Sequence, residues 1–563
     1  MKSLTGLDAT FLYLETPEMP MHVGSFNLCE LPAGFRGSFH KAVKSHIARR
    51  MHLAPIFSRK LVFMPFDLGH PLWIEAESVD IDFHVRRVPC SAQKPMSLAQ
   101  AHTLVAKLHS ELIDRACPLW EFYVFDAIKL PSGERVGGFF SKIHHAALDG
   151  KGGVMLANAM LDIGPVPREV PPPDPARRGK TAADLKIGKM IGSVFSNSLA
   201  QVAKLAKSLP AAAGTLGSTL ARQSLQGDGG RPKMPMKLAP KSPFNTAVTQ
   251  GRVFVAATVP LAECKAMGKA VGGSFNDVAL WICSTALRSY LAQHGSVPTR
   301  SLVAAMPVSL REAGASDATD LGNQVSMSLV ELGTHLAHPL KRMNAIMAST
   351  AKVKTSMQSL KGLLPTDYPS LLAPWLVGGA GKAALNAYGK TGLASRLPMV
   401  ANLAISNVPG PPVPLYLAGA RMLTFHPLSI VLHGLALNIT IQTYAGHVDF
   451  GIVAGKKALP HAQDLVKAIE DAFRQAQALV GTGAPATAAP NTAANPAKTP
   501  KPRVASVTPL GKPPSVKRAA GPKIIPIKNK AKPSDVSNHG TTRTQAVNGK
   551  TGQKARAARR PAA

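Results

Sequence analysis

The sequence predicts an α/β protein with two folded regions and a disordered basic tail. Its 563 residues exceed what one hydrophobic core usually organises, and 45% of them are hydrophobic. Short apolar runs of strand character alternate with segments of helical spacing in two long stretches, 1–163 and 246–480. The segments 164–245 and 481–563 are rich in proline, alanine, glycine and lysine, and they separate or follow the two α/β regions.

The first region, 1–163, contains both kinds of element. Alternating or continuous apolar runs predict strands over 61–64, 81–85, 118–125 and 138–143. Apolar residues at helical spacing predict helices over 39–50, 98–112 and 154–161. The last strand leads into His144 and His145, and the last helix follows them. The two histidines therefore lie in a loop on a rigid scaffold, which is a common place for catalytic groups.

The residues around these histidines suggest proton transfer. A histidine at this point can be neutral and accept a proton, because its unperturbed pKa is about 6.5. Asp149 can fix the geometry of the loop and the tautomer of a ring, and Gly150 can adopt backbone angles closed to other residues. The pattern predicts general-base removal of a proton from a bound alcohol or amine.

Two other interpretations of the same residues stay open. Adjacent residues on a strand point to opposite faces, so one of the two histidines is expected to be structural. A metal site is the third interpretation, since His145 and Asp149 are one helical turn apart. Zinc normally takes three or four protein ligands, and no Cys/His cluster elsewhere in the sequence forms an evident motif.

The intervening segment, 164–245, begins as a proline-rich linker and contains one amphipathic stretch. Over 185–209 the apolar residues fall in one half of a helical wheel, and lysines gather in the other half. This pattern is typical of a helix that lies in a membrane interface. It equally fits a helix that packs its apolar face on its own protein, so both interpretations remain.

The second region, 246–480, resumes the α/β pattern. Strands are predicted over 252–256, 302–309, 322–330 and 401–408, with a hairpin around Ala445-Gly446. Helices are predicted over 261–268, 278–291 and 459–479. Ser274 or Asn276 is the expected N-cap of the middle helix.

The formal net charge of +33 is unevenly distributed. The tail 481–563 carries roughly +15 and the segment 164–245 roughly +10, so the two folded regions are only mildly basic. This argues against a DNA-binding domain. It predicts two basic elements that contact anionic lipid, or nucleic acid nonspecifically.

The lack of an evident targeting signal and the scattered cysteines predict a cytoplasmic protein. The five cysteines are scattered without paired spacing, which favours a reducing compartment. The N-terminus lacks the apolar core of a signal peptide, and no run of 18 apolar residues is present. We therefore expect any membrane contact to be peripheral.

Together these motifs resemble a known family. HHAALDG at 144–150 is similar to the HHxxxDG motif of bacterial wax ester synthase/diacylglycerol acyltransferases, which belong to the CoA-dependent acyltransferases with chloramphenicol acetyltransferase. Pro118-Leu119-Trp120 resembles the family's PLW element and Asn276-Asp277 its ND element. Further segments that resemble family elements are 10–15, 20–23, 306–311 and 406–411. The resemblance spans residues 1 to about 480, and the tail lies outside it.

The resemblance implies a fold and a reaction. It implies two chloramphenicol-acetyltransferase-like domains with a channel between them and the histidine motif at its midpoint. It implies transfer of a long-chain fatty acyl group from acyl-CoA to the hydroxyl of diacylglycerol or a long-chain alcohol. Acyl-CoA is then a co-substrate, and neither a cofactor nor a metal is expected. The implied location is cytoplasmic, peripheral at the inner face of the plasma membrane or on lipid droplets.

The resemblance also implies roles for single residues. His145 matches the family's general base, with His144 beside it. Asp149 matches a residue that orients the loop through an ion pair, for which Arg311 is a candidate partner. Asn276 and Asp277 either shape the channel and support His145, or cap a helix. Asp449-Phe450-Gly451 is similar to a late Asp-Phe-Gly turn of the superfamily.

Two alternative functions follow from the same features. A non-catalytic protein could bind a membrane or lipid-droplet surface through the basic helix and tail. The same fold could also acylate another alcohol or an amine.

Overall fold

The computed structural model describes residues 2–63, 70–148, 150–174, 238–309, 325–360, 382–397 and 399–481. All of them belong to one compact unit, Met1–Ala488. Several predictions fall outside the described residues: the amphipathic helix 185–209, the tail beyond 481, Asp149 and Arg311.

Strands and helices alternate along the described chain, so the α/β prediction is confirmed. The strands are β1 Lys2–Ser3, β2 His22–Glu30, β3 Arg59–Val62, β4 Leu72–Glu75, β5 Val85–Val88, β6 Met96–Ser97, β7 Trp120–Lys129, β8 Arg135–His144, β9 Arg252–Pro260, β10 Val303–Ser309, β11 Val325–Glu331, β12 Leu403–Val408, β13 Tyr416–Leu417, β14 Ala420–Met422, β15 His426–Leu428, β16 Leu437–Tyr444 and β17 His447–Gly455. The helices are α1 Gly6–Leu14, α2 Phe39–Ala48, α3 Ile81–His84, α4 Leu98–Ser110, α5 Gly150–Met160, α6 Leu261–Val271, α7 Phe275–His294, α8 Pro339–Leu360, α9 Lys382–Lys390, α10 Leu393–Arg396 and α11 Ala462–Val480.

The first sheet has the order β13-β14-β2-β8-β7-β5. Its centre is antiparallel, with His22 of β2 opposite His144 of β8 and Trp120 of β7 opposite Ile143. Three of its strands, β13, β14 and β15, come from residues 416–428, which we call the crossing segment. The sheet therefore combines strands from the beginning and from near the end of the described chain.

The second sheet has the order β11-β10-β12-β16-β17-β9. Helices α6, α7 and α11 pack against it around a core that includes Trp281, Phe450 and Ile469. The predicted hairpin is formed by β16 and β17, and Ala445 and Gly446 both adopt positive φ in its turn. Ser274, one of the two residues expected to cap α7, is its N-cap.

The Asp-Phe-Gly residues of β17 hold the crossing segment in place. Asp449 is fully buried and accepts hydrogen bonds from the backbone N–H of Phe425 (2.7 Å) and the hydroxyl of Thr258 (2.6 Å). A Cβ atom at Gly451 would lie 1.7 Å from the carbonyl oxygen of Pro427. Only glycine therefore allows β15 to lie this close to β17 while it pairs with β2.

The strand predicted over 81–85 is wrong in most of its length. Residues Ile81–His84 form the short helix α3, because the carboxylate of Asp80 accepts from the backbone N–H groups of Asp82 (2.9 Å) and Phe83 (3.3 Å). The strand β5 begins only at Val85. A helix cap at Asp80 outweighs the alternating pattern that suggested a strand.

No helix in the described part of the chain is both long enough and apolar enough to span a bilayer.

Candidate active site

The two adjacent histidines lie at the end of β8. His144 is its last residue, and His145 begins a 3-10 turn, His145–Ala147, that leads towards α5. The N–H of His144 donates to the carbonyl of Leu119 (3.0 Å), and the N–H of His145 donates to that of Met21 (2.8 Å). The Pro-Leu-Trp and Pro-Met-His elements therefore fix the backbone of both histidines.

The His145 ring is held against helix α1. It stacks on the ring of Phe11, with centroids 3.9 Å apart and an angle of 12° between the planes. Burial lowers the pKa of His145 to about 4; its own backbone carbonyl opposes this shift, and the proximity of His144 adds to it. The ring is thus neutral at physiological pH and able to accept a proton.

The two nitrogens of His145 have different surroundings. Nδ1 is buried and forms no hydrogen bond with another described residue. Nε2 also forms no hydrogen bond with a described residue. Unlike Nδ1, it is not among the buried nitrogens that lack a partner in the described part of the chain. Nε2 is therefore the nitrogen that remains for the hydroxyl of a substrate.

His144 is fully buried and has a structural position. Its Nδ1 accepts the backbone N–H of Ala146 (3.1 Å), which closes the turn. An imidazole nitrogen that accepts is unprotonated, so the neutral ring carries its hydrogen on Nε2. That nitrogen lies 3.3 Å from Oε1 of Glu15. The two histidines therefore face different surroundings, as adjacent residues at a strand end should.

Glu15 is a site residue that the sequence did not reveal. Its buried carboxylate lies 3.3 Å from Nε2 of His22, accepts from Nη2 of Arg115 (2.8 Å) and accepts from the backbone N–H of Met21 (3.0 Å). Burial alone would raise its pKa, but the contacts with His144 and His22 outweigh burial, so the pKa of Glu15 lies well below its usual range. The available signal was an acid at the end of an apolar stretch, five residues before the Pro-Met-His element and with Glu18 between them.

Further buried ionisable groups lie on the same face of the first sheet. Burial lowers the pKa of His22 to about 4, against the opposing contact with Glu15, and lowers that of His109 to about 3. Lys142 is fully buried, and its ammonium donates to Glu121 (3.0 Å). Burial lowers the pKa of Lys142, and the attraction of Glu121 opposes that shift. The face beneath the histidine turn is therefore rich in buried ionisable groups, among which His22 and His109 are neutral at physiological pH.

We expect this face to make the protein sensitive to acid. The unfolded histidines have a pKa of about 6.5 and take up protons before the folded ones, so stability is full above that value and falls between about pH 6.5 and 4. Each such histidine contributes a slope of up to about 1.4 kcal/mol per pH unit. Glu15 acts in the same direction below about pH 4.5, because its ionised form is the one that the fold stabilises.

Urea unfolding between about pH 7.5 and 4.5 measures this slope. The variant His109→Gln keeps a donor for the carbonyl of Ser429, which His109 contacts at 3.2 Å, but it does not titrate. Its free energy of unfolding should depend less steeply on pH than that of the wild type. Identical slopes for both proteins would contradict the assignment to His109.

The Pro118, Leu119 and Trp120 side chains are buried and structural. Trp120 donates its indole N–H to the carbonyl of Phe57 (3.2 Å) and stacks on His84, with ring centroids 4.2 Å apart. Through the carbonyl of Leu119 the same element also holds His144. The Pro-Leu-Trp element therefore contacts the histidine turn through its backbone.

Asn276 and Asp277 lie at the start of α7. Asp277 accepts from the backbone N–H of Ser274 (2.8 Å) and from the hydroxyl of Thr350 (2.7 Å), so both of its oxygens have partners. Asn276 accepts from the side-chain amide of Asn407 (3.2 Å), which joins the Asn-Asp element to the Ser-Asn-Val-Pro-Gly-Pro turn. Neither side chain forms a hydrogen bond or ion pair with His145 in the described structure.

Gly150 is the first residue of α5, directly after the turn. Asp149 and Arg311 lie outside the described residues, so their ion pair stays a prediction.

A cleft opens beside the histidine turn. Its cavity volume is about 160 Å³. Its walls are largely apolar and include Ala146, Ala147, Ile56, Trp73 and Met155, with Arg59 as a cationic group. A cleft of this character offers an apolar chain a surface next to the turn that carries His145.

Comparison with known proteins supports the motif-based resemblance. The model of the wax ester synthase/diacylglycerol acyltransferase catalytic domain matches residues 4–279, and that of the WS/DGAT C-terminal domain matches residues 321–477. A putative diacylglycerol O-acyltransferase of Mycobacterium tuberculosis is 34% identical over 481 residues, which cover 85% of this chain and 100% of that protein. An O-acyltransferase of Acinetobacter baylyi is 31% identical, over 84% of this chain and 96% of that protein.

A solved structure is similar as well. The wax ester synthase/diacylglycerol acyltransferase from Marinobacter aquaeolei superposes with a TM-score of 0.59 at 26% sequence identity. The match covers 85% of this chain and 100% of that chain.

Proposed function

Because the chain belongs to the wax ester synthase/diacylglycerol acyltransferase family and is an acyltransferase, we propose that His145 is the general base of its acyl transfer. One observation carries this proposal. The His145 ring is neutral, is fixed by the stack on Phe11, and leaves Nε2 without a partner among the described residues. Such a group accepts a proton in a defined direction.

The chemistry is a direct transfer. Nε2 of His145 takes the proton of the acceptor hydroxyl as its oxygen attacks the thioester carbonyl of acyl-CoA. A C–O bond forms, the C–S bond breaks, and the CoA thiolate leaves and receives the proton from the imidazolium. No covalent enzyme intermediate is needed.

The proposed acceptor is diacylglycerol, with long-chain alcohols as a second substrate class. The apolar cleft beside Ala146 and Ala147 supports an acceptor or acyl group with a long hydrocarbon chain. Such a group gains about 0.8 kcal/mol per buried CH₂. The sole reacting group of either acceptor is a hydroxyl, which suits a neutral base.

Turnover with two acceptors tests the function. The purified chain is given palmitoyl-CoA with either diolein or hexadecanol, and released CoA and ester product are both measured. We expect ester and CoA in equal amounts with both acceptors, and more product with diolein. CoA release without ester from either acceptor would contradict the proposed acceptor class.

Helix α1 is proposed to position both histidines. Phe11 lies within α1 and Glu15, four residues later, is its C-cap, so the two side chains lie on one face. Phe11 contacts the His145 ring, and Glu15 contacts His144. One rigid helix would thereby fix the plane of the base and the tautomer of its neighbour.

We expect Phe11→Leu to lower kcat by roughly ten- to a hundredfold, because the flat contact that orients His145 is lost. KM for palmitoyl-CoA should change little, since Phe11 is a positioning residue and not a binding one. Phe11→Tyr keeps the ring and is the matched control, which should retain most of the activity. Equal losses in both variants would show that Phe11 serves only the packing of α1.

We also propose that the basic segments 164–245 and 481–563 contact anionic lipid surfaces peripherally. This contact would locate the protein at the inner membrane face or on lipid droplets. Their concentrated charge supports this. Flotation with vesicles that contain or lack phosphatidylglycerol tests it. Deletion of 484–563 should weaken binding to the anionic vesicles and leave turnover in solution unchanged. Unchanged binding would contradict a role of the tail.

A further inference from the structure

A compact group of metal-binding side chains lies on the surface of the second sheet's helical layer. His294 is the last residue of α7, His461 precedes α11, and Asp464 lies in the first turn of α11. The ligand atoms of the three residues lie within 4.8 Å of one another. His294 and Asp464 are 170 positions apart in the sequence, so no local sequence motif predicts this group.

The side chains of this group are held in place before any ligand arrives. The rings of His294 and His461 are stacked, with centroids 4.4 Å apart and an angle of 11° between them. Nε2 of His294 lies 2.9 Å from Oδ2 of Asp464. The ring of Tyr290 packs against His294 at 4.7 Å. Contacts among these side chains and with Tyr290 thus hold the three residues close together.

The scaffold beneath the group is rigid. Helices α7 and α11 pack on each other through the largest apolar cluster of the described structure, which includes Leu287, Leu291, Leu465 and Ile469. The backbone N–H of Asp464 also donates to the carbonyl of His461 (3.1 Å). Preorganised ligands lose little conformational entropy when they bind an ion.

From these observations we infer that His294, His461 and Asp464 bind a divalent transition-metal ion, with Zn²⁺ as the expected class, and that the ion ties the end of α7 to the start of α11. Two imidazoles and a carboxylate are ligands that zinc takes at about 2.0–2.2 Å. Tetrahedral geometry at those lengths separates ligand atoms by about 3.4 Å. The observed 2.9 Å contact and the 4.8 Å limit bracket that value. Because the two rings are nearly parallel, one of them must turn out of the stack for both lone pairs to meet the ion.

The surroundings also suit a cation. The carboxylate of Asp464 supplies a negative charge. Because both histidines are exposed, water can complete the coordination, as in sites with three protein ligands.

Metal titration of the full-length chain, stripped with a chelator, tests this inference. We expect one Zn²⁺ per chain with a Kd in the micromolar range, and a Co²⁺ complex with the visible absorption of a tetrahedral site. Zn²⁺ should also raise the Tm. His294→Ala, His461→Ala and Asp464→Asn should each weaken binding at least tenfold and abolish the rise in Tm.

The controls distinguish this site from nonspecific Zn²⁺ binding by other histidines. His447→Ala removes another exposed histidine, on β17, and should leave Kd and the rise in Tm unchanged. Circular dichroism establishes that the three surface variants are folded. The inference is overturned by equal Zn²⁺ affinity in wild type and in the folded His294→Ala/His461→Ala variant, or by tight binding that leaves the Tm unchanged.

Discussion

Replacement of His145 by glutamine is expected to lower kcat/KM for acyl transfer by about 10²- to 10⁴-fold. Glutamine fills a similar volume beside Phe11 but cannot accept and return a proton in the required pH range. The fold should survive, because His145 is partly exposed and its backbone hydrogen bond to Met21 does not depend on the side chain. The loss should therefore appear in the chemical step.

The measurement is single-turnover formation of ester from palmitoyl-CoA and diolein, with thermal melting beside it. His145→Ala serves as a second variant, since it removes the stack on Phe11 as well as the base. It should be as inactive as His145→Gln and melt at a lower temperature. A His145→Gln protein that retains activity within threefold of the wild type would exclude His145 as the base.

Substitution of Gly451 by alanine is expected to destabilise the fold by at least about 3 kcal/mol. The added Cβ would lie 1.7 Å from the carbonyl oxygen of Pro427, and that oxygen belongs to backbone which cannot rotate away. To make room, β15 must leave either β17 or β2. Because β15 also supports the edge of β2, the damage should reach the sheet that carries the histidines.

Thermal and chemical unfolding of Gly451→Ala measure the loss, together with the yield of soluble protein. Gly164→Ala is the matched control, because a Cβ atom at that position would meet nothing within 4 Å and its φ is not positive. It should melt like the wild type. Equal melting temperatures for the two variants would show that the crossing segment shifts without cost.

Local signals were sufficient to predict the histidine turn. A strand, two histidines and a helix follow one another along the chain, so periodicity and the motif together placed His144 at the end of β8. The resemblance added the family, which the comparisons confirm. The strand expected at 81–85 was wrong because a single cap, Asp80, decides the local structure there.

Local sequence signals could not predict contacts between distant segments. Nothing in the periodicity of residues 10–15 shows that Phe11 and Glu15 meet the two histidines, since this depends on how α1 packs onto the turn. The pairing of β15 with β2 joins residues about 400 positions apart, and a three-residue strand has no periodicity to detect. The cluster of His294, His461 and Asp464 was missed for the same reason.

The pairing of β2 with the crossing segment also has a consequence for synthesis. Ribosomes add about 5–20 residues per second, so β2 waits roughly 20–80 s before β14 and β15 leave the ribosome. During this interval one edge of β2 lacks its partner, and unpaired edges invite association with other chains. Nascent chains of this protein should therefore depend on chaperones until the crossing segment, 416–428, emerges. A fragment that ends before residue 416 should be recovered as aggregates.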